Sequence, residues 1–431
     1  MDTQMRLKDT LHQDLPDRLD QPVGSVSKVV QDEIQRYEHL WWSCKQSLPE
    51  FNSSFRSEDQ TKYEKQLGKL ATGLVYQMKD LPKDPTERKT WQNGLRAGFT
   101  DFILSMGLIE QRHLDFVETS GLLGAAQEFG RMARRFDPAI RSEDIYQAGR
   151  NVMTANLIQI LFELPVRVTP SIFAYSMLYP YTDNFLDDAG ISYAQKLAFN
   201  TRFKHRLEGQ EVLPENSREE VIHHLIGMIE TEWERNRHPK VYESLLAIHA
   251  AQAHSLDLVA PGASPFERDV LGISFEKGGT SVLADGYLVS GNLTGEQTSL
   301  LFGFGAFTQL MDDLEDLQAD LQEDRMSIFT QTAVYWPLDG VTNSLFHFSR
   351  LIMENLGAFH SPSAMILTEI MRRCLDPILI GTVGRMGRYY HRDYLIALEK
   401  HTVIRTSAME KQRKKLSRQK INIGKLVEAM L

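Results

Sequence analysis

Cysteine is nearly missing from the 431 residues, with Cys44 and Cys374 the only two. That excludes a disulfide scaffold and a cysteine-rich zinc site, and it fits a reducing compartment. Long apolar runs are missing as well. No stretch of about 18 uninterrupted apolar residues occurs, so no membrane-spanning helix is expected. The opening segment MDTQMRLKDTLHQDLPDRLD carries no apolar core of the signal-peptide kind, and a cytoplasmic protein is the expectation. Glycine (28) and proline (16) are scarce enough to permit long helices. The signatures GxxxxGK[ST], HExxH and GxSxG do not occur. Gly303-Phe304-Gly305 lacks a third glycine and a preceding strand, so it reads as a close helix contact and not as a dinucleotide loop.

Charge is present but unevenly spread. There are 48 Lys and Arg against 57 Asp and Glu, a formal net charge of -9. From His401 to Leu431 eight basic residues face two acidic ones, so that end is +6 and the rest is -15. The acidic body would repel phosphates, which argues against nucleic acid as a partner. The basic end suits a solvated helix or a weak peripheral contact with anionic lipid.

The pattern along the chain is helical throughout. Val29, Val30, Ile34, Tyr37, Leu40 and Trp41 follow helical spacing. Further helices are expected over 93–110, 121–136, 143–164, 171–188, 218–236, 241–259, 266–290 (interrupted at Gly278-Gly279), 295–321, 343–356, 364–387 and 389–401. No alternating strand pattern and no βαβ rhythm is present, so the class is all-α. The expected organisation is a polar arm (1–27), N-terminal helices packing on the core (28–94), a main helical domain (95–400) and a basic C-terminal helix (401–431).

Two acidic clusters stand out, each at the end of an apolar helix. In SIFAYSMLYPYTDNFLDD, Asp183 and Asp187 are i and i+4 and project from one face, with Asp188 off that face by about 100°. In SLLFGFGAFTQLMDDLEDLQAD, Asp312 and Asp316 are i and i+4, flanked by Asp313, with Gln309 one turn upstream and Asp320 one turn downstream. Carboxylates so close repel one another, and near apolar helices they are costly without a cation. Clustered oxygen donors suit Mg²⁺ held jointly with substrate phosphates, and two such clusters facing each other would hold a diphosphate.

SFEKGGTSVLADGYLVSG followed by FGFGAFTQLMDDLEDLQADLQEDRMSIFTQ resembles the second half of a trans-prenyl diphosphate synthase, and DNFLDD stands where the first aspartate-rich motif of that family would stand. The resemblance covers roughly residues 95–400. It implies the class I isoprenoid synthase fold, an antiparallel helical bundle around an apolar cavity, with three Mg²⁺ ions (or Mn²⁺) at its mouth. By the same resemblance Asp183, Asp187, Asp188, Asp312, Asp313 and Asp316 bind metal, while Lys277, Gln309, Arg388 and Tyr389 bind diphosphate. Arg385, Arg392 and Arg206 are competing candidates for the basic role.

The first motif is Asp183-x-x-x-Asp187-Asp188, no Arg pair follows it, and no N-terminal Gly-Lys-x-x-Arg occurs. The resemblance therefore implies a terpene synthase that ionises one prenyl diphosphate and cyclises or rearranges it. A prenyltransferase condensing prenyl diphosphates, by head-to-tail elongation or squalene/phytoene-type coupling, and a non-catalytic helical paralogue, are the alternatives. A homodimer is compatible with each. Phe173, Tyr175, Phe185, Phe302, Phe304 and Phe307 are candidates to line the cavity, a minority of them facing the ligand. The histidines, among them His223, His224, His249 and His254, lack metal-ligand spacing and read as structural or surface residues.

Overall fold

A computed structural model describes residues 25–79, 81–186, 190–259, 267–356, 359–419, 421 and 423–430. The described residues form nineteen α-helices and no strand, as the all-α reading requires. In chain order they are α1 (Val26–Ser43), α2 (Ser57–Gln77), α3 (Pro85–Ser105), α4 (Gln111–Thr119), α5 (Leu122–Phe136), α6 (Ser142–Leu161) and α7 (Pro170–Leu186). There follow α8 (Tyr193–Leu207), α9 (Ser217–Glu232), α10 (Pro239–Ser255), α11 (Val270–Ser290), α12 (Gly295–Glu315), α13 (Leu317–Gln322) and α14 (Ile328–Ala333). The chain closes with α15 (Asp339–Leu356), α16 (Pro362–Arg385), α17 (Arg392–Glu399), α18 (Thr406–Arg418) and α19 (Ile423–Met430). No helix among the described residues is long and apolar enough to cross a membrane.

Local chemistry sets many of the helix ends. Asp84 accepts from the N–H groups of Thr86 and Glu87, with Pro85 as the first residue of α3. Ser192 with Gln195 and Thr294 with Gln297 form reciprocal capping boxes that start α8 and α12. Gly291 ends α11 in the left-handed region at φ 74°, which costs glycine little.

Helix α11 is the axis of the main core. Both of its sides are buried, from Val270 through Leu288, and it packs against α12, α10, α6, α1 and α7. A helix apolar all round belongs inside a bundle, where burying each large side chain contributes roughly 1.5–3 kcal/mol. Aromatic contacts bind α1 and α15 to this axis. Phe275 stacks on Phe348 at 5.6 Å, and Trp41 meets the same ring edge-on at 5.6 Å. Phe102, Val403 and Ile404 anchor a second, smaller cluster that gathers α2, α3 and the start of α18.

Three features differ from the sequence reading. Gly278 and Gly279 do not interrupt a helix; α11 runs through them unbroken. Their role is a close crossing. A Cβ at Gly278 would lie 2.5 Å from the Gln309 Cβ, and one at Gly305 would lie 2.7 Å from the Gly278 carbonyl carbon. Gly303 likewise makes room for the Tyr37 ring, so the glycines of α12 are packing residues as expected. The long acidic helix ends at Glu315, and α13 restarts at Leu317 after a single hinge residue, Asp316. The basic end forms two helices, α18 and α19, and helices α2, α4, α8 and α14 were not anticipated.

Candidate active site

Four helices, α6, α7, α11 and α12, bring the polar residues together. Helices α7 and α11 run antiparallel, and their register can be read from hydrogen bonds. The Ser171 hydroxyl donates to the Leu288 carbonyl at 3.4 Å. Further along, the Tyr179 and Ser281 hydroxyls bond at 2.7 Å. One more helical turn brings position 183 level with Lys277. Asp183 thus lies in the last turn of α7 at the lysine end of α11, its side chain outside what is described, and Asp187 and Asp188 lie outside the described residues.

The second acidic motif is positioned by α12 and the hinge that ends it. Asp313 is buried, and both oxygens are engaged: Gln309 Nε2 donates to Oδ1 at 2.8 Å and Ser274 Oγ donates to Oδ2 at 2.9 Å. Burial pushes its carboxyl up to about 6, against the pull of those two bonds and of Lys277. Asp316 is raised by burial and by the negative charges of Asp312 and Glu315, with Arg150 and Lys277 pulling the other way. Asp320 is pushed up to about 7 by burial, with Asp313 adding to it. The positive charge of Lys277 thus lies close enough to Asp313 and Asp316 to favour their ionised forms. Gln309 is committed to Asp313 in this state.

Arg150 was missed in the sequence. Its Nη2 donates to Asp312 Oδ1 at 2.8 Å, across from α6 to α12. A signal existed, because Arg150 is the sole charged residue between Asp144 and Glu163. Arg385 of α16 reaches the same motif, donating to Glu315 Oε1 at 2.7 Å. Arg388 does not reach it among the described residues. Its guanidinium bonds the hydroxyl of the adjacent Tyr389 and lies 4.6 Å over that ring. The stretch is nonetheless nearby, since Gln318 Nε2 donates to Met386 Sδ at 3.6 Å. Of the other candidates, Arg206 is locked to Glu230 through two bonds of 2.7 Å, and Arg392 lies in α17, on a different groove.

Two turns along α11 from Lys277, Asp285 is buried between α6, α7 and α11. Asn151 Nδ2 donates to its Oδ1 at 3.0 Å and to Ser176 Oγ at 3.1 Å, while Asp285 Oδ2 has no partner among the described residues. Burial holds this carboxyl well above the usual carboxylate range, which favours its protonated form. Beside Tyr175 and Tyr179 a cavity of about 30 Å³, lined also by Phe203 and His249, has room for a water molecule and not for a prenyl chain. Of the aromatic candidates, Phe173, Tyr175, Phe302 and Phe307 are core residues; Phe185 packs on Phe199 and under Arg218.

Among the described residues no three Asp, Glu, His or Cys side chains converge as a metal cage. The donor chemistry still suits a hard divalent cation. Asp312, Asp313 and Asp316 supply only carboxylate oxygens, and Asp313 and Asp316 carry raised proton affinities that a nearby cation would relieve. Comparison of the chain with protein-family models, with curated proteins and with solved structures gives no match.

Proposed function

We propose that this chain is a Mg²⁺-dependent class I isoprenoid synthase that ionises a single linear prenyl diphosphate, cyclises or rearranges the carbocation and releases diphosphate. The observation that carries this reading is the common level of Lys277, the Asp312–Asp316 motif and position 183, reached from the consecutive helices α11 and α12 and from α7, about a hundred residues earlier. Asp183, Asp187, Asp188, Asp312, Asp313 and Asp316 would hold the ions, Mg²⁺ or in substitution Mn²⁺. Bound there, Mg²⁺ supplies a Lewis acid and template that neutralises the departing diphosphate.

The chain's own residues carry the rest. Lys277 would bind diphosphate oxygens as charge builds on them, and Gln309, Arg388 and Tyr389 would join it by exchanging the contacts they make to Asp313 and to each other for the ligand. Asp313 is kept in one orientation by Gln309 and Ser274, so its oxygen is pre-aimed. The apolar helices α11 and α12 exclude water behind the motif, which favours intramolecular closure of the cation over hydrolysis.

Arg150 and Arg385, paired with Asp312 and Glu315, favour a second reading, in which two prenyl diphosphates condense, because each places a cation beside the motif, as a second diphosphate would require. Incubating the protein with C10 to C25 prenyl diphosphates, with and without isopentenyl diphosphate, tests both. Consumption of one prenyl diphosphate alone is expected. Strict dependence on isopentenyl diphosphate selects head-to-tail condensation, a product with twice the carbons of the one substrate selects squalene/phytoene-type coupling, and no consumption of any substrate selects the non-catalytic paralogue.

A further inference from the structure

Away from the acidic motifs, α17 and α18 border an open groove of about 1040 Å³ whose opposite wall includes Gly68 of α2. Arg392, Lys411, Lys414, Lys415 and Arg418 line it, against two acidic residues, Glu399 and Glu410. Both carboxylates are already used. Glu399 Oε1 accepts from the Thr406 hydroxyl at 2.6 Å and from its N–H at 3.1 Å, joining α17 to α18. Glu410 pairs with Arg413 at 2.9 Å and Lys414 at 3.8 Å. Lys415 donates to the Thr72 hydroxyl at 2.6 Å. Arg392, Lys411 and Arg418 have no acidic partner among the described residues, so the groove keeps an uncompensated positive charge in a chain of net charge -9.

Aliphatic side chains stand beside those cations. Leu395 and Ile396 line the groove, and Ile396 is 47% exposed. Cations and exposed aliphatics side by side match an amphiphile, which presents phosphate and hydrocarbon at adjacent depths. An acidic peptide or a nucleic acid would satisfy the cations and leave Ile396 in water.

We propose that this groove docks the phosphate headgroups of anionic phospholipid at a membrane surface, with Arg392, Lys411 and Arg418 as the headgroup contacts and Ile396 as the apolar contact. The assignment is independent of the chemistry at the acidic motifs.

The test is flotation of the full chain with vesicles of phosphatidylcholine alone and of phosphatidylcholine with three-tenths phosphatidylserine, at low and high salt. Binding to the serine-containing vesicles only, weakening as salt rises, is expected. The triple variant Arg392→Gln, Lys411→Gln, Arg418→Gln should lose about fivefold in partitioning per removed cation. Those three residues have no ion pair to break, and an unchanged melting curve checks that the fold is kept. Ile396→Ser should weaken binding with every charge retained. Equal binding to both vesicle types, or full binding by the triple variant, overturns the proposal. So does capture of inorganic phosphate or of a poly-glutamate peptide without any vesicle binding.

Discussion

Replacing Gly305 with alanine probes the crossing on which the site is built. The added Cβ would lie 2.7 Å from the Gly278 carbonyl carbon and 2.9 Å from the Gly279 Cα, where carbon atoms normally rest at about 3.5–4.0 Å. Both obstacles are backbone, so no rotamer change relieves the clash and α11 must move away from α12 by about 1 Å. Overpacking of that kind costs about 1–3 kcal/mol, and a rigid backbone partner puts this case near the upper end. The better helix propensity of alanine returns about 1 kcal/mol, which leaves a net loss of about 2 kcal/mol. With an unfolding entropy of about 2.1 cal/mol/K per residue, that corresponds to a fall of roughly 2 °C in Tm for a chain of this size. The same movement would stretch the 2.9 Å bond from Ser274 to Asp313 and loosen the motif. Gly227→Ala in α9 is the control, because a Cβ there meets nothing within 4 Å. It should stabilise by a few tenths of a kcal/mol to about 1 kcal/mol. Thermal and denaturant unfolding of both variants decide the matter. A Gly305→Ala protein as stable as the parent would refute the crossing argument.

Other perturbations test the electrostatics. Burial raises the folded Asp285 carboxyl above its unfolded value, near 3.9, so the folded state holds the proton more tightly and stability falls as pH rises between the two values, by about 1.4 kcal/mol per pH unit at most. Asp285→Asn, which retains the oxygen that Asn151 bonds, should raise stability at pH 7, with a gain that grows between pH 5 and 7 in urea titrations; a pH-independent difference would contradict a neutral buried acid. Arg150→Gln removes a partly exposed pair worth about 1 kcal/mol at most, and it should enlarge the rise in Tm on adding Mg²⁺, because Asp312 loses its internal counter-charge. A smaller Mg²⁺ response than the parent's would count against that role. Asp312→Asn should slow diphosphate release on the order of a hundredfold with little change in Tm, because relief from Asp316 is offset by the lost Arg150 contact. Parental rates in that variant would remove Asp312 from the site.

Most long helices were legible because their buried residues recur at helical spacing, as in α5, where Leu122, Ala125, Phe129 and Ala133 share one stripe. Helix α2 escaped notice because it buries only Gln60, Ala71 and Leu74, too sparse a stripe to register as a period. The glycine pair in α11 was read as a break because sequence shows which residues lack side chains and not what lies opposite them. The facing Gly305 sits 26 or 27 positions away, and only the fold makes the three one contact. At the candidate site, Asp312, Asp313, Asp316 and Gln309 were legible as a spaced pattern, and Lys277 only through the family resemblance. Their partners were not, since Arg150 to Asp312 and Asn151 to Asp285 are contacts between residues 162 and 134 positions apart. Arg388 shows the limit of a short match. A dipeptide match with Tyr389 pointed to the acidic motif, yet the two side chains satisfy each other, and Arg385, one turn earlier, takes the contact.

Release of inorganic diphosphate from farnesyl or geranylgeranyl diphosphate, followed with excess Mg²⁺ and again with excess chelator, bears most directly on the proposed activity. The account predicts turnover of a single prenyl diphosphate with Mg²⁺, none with chelator, and recovery when the metal is restored. Undiminished turnover in the chelated protein would contradict it.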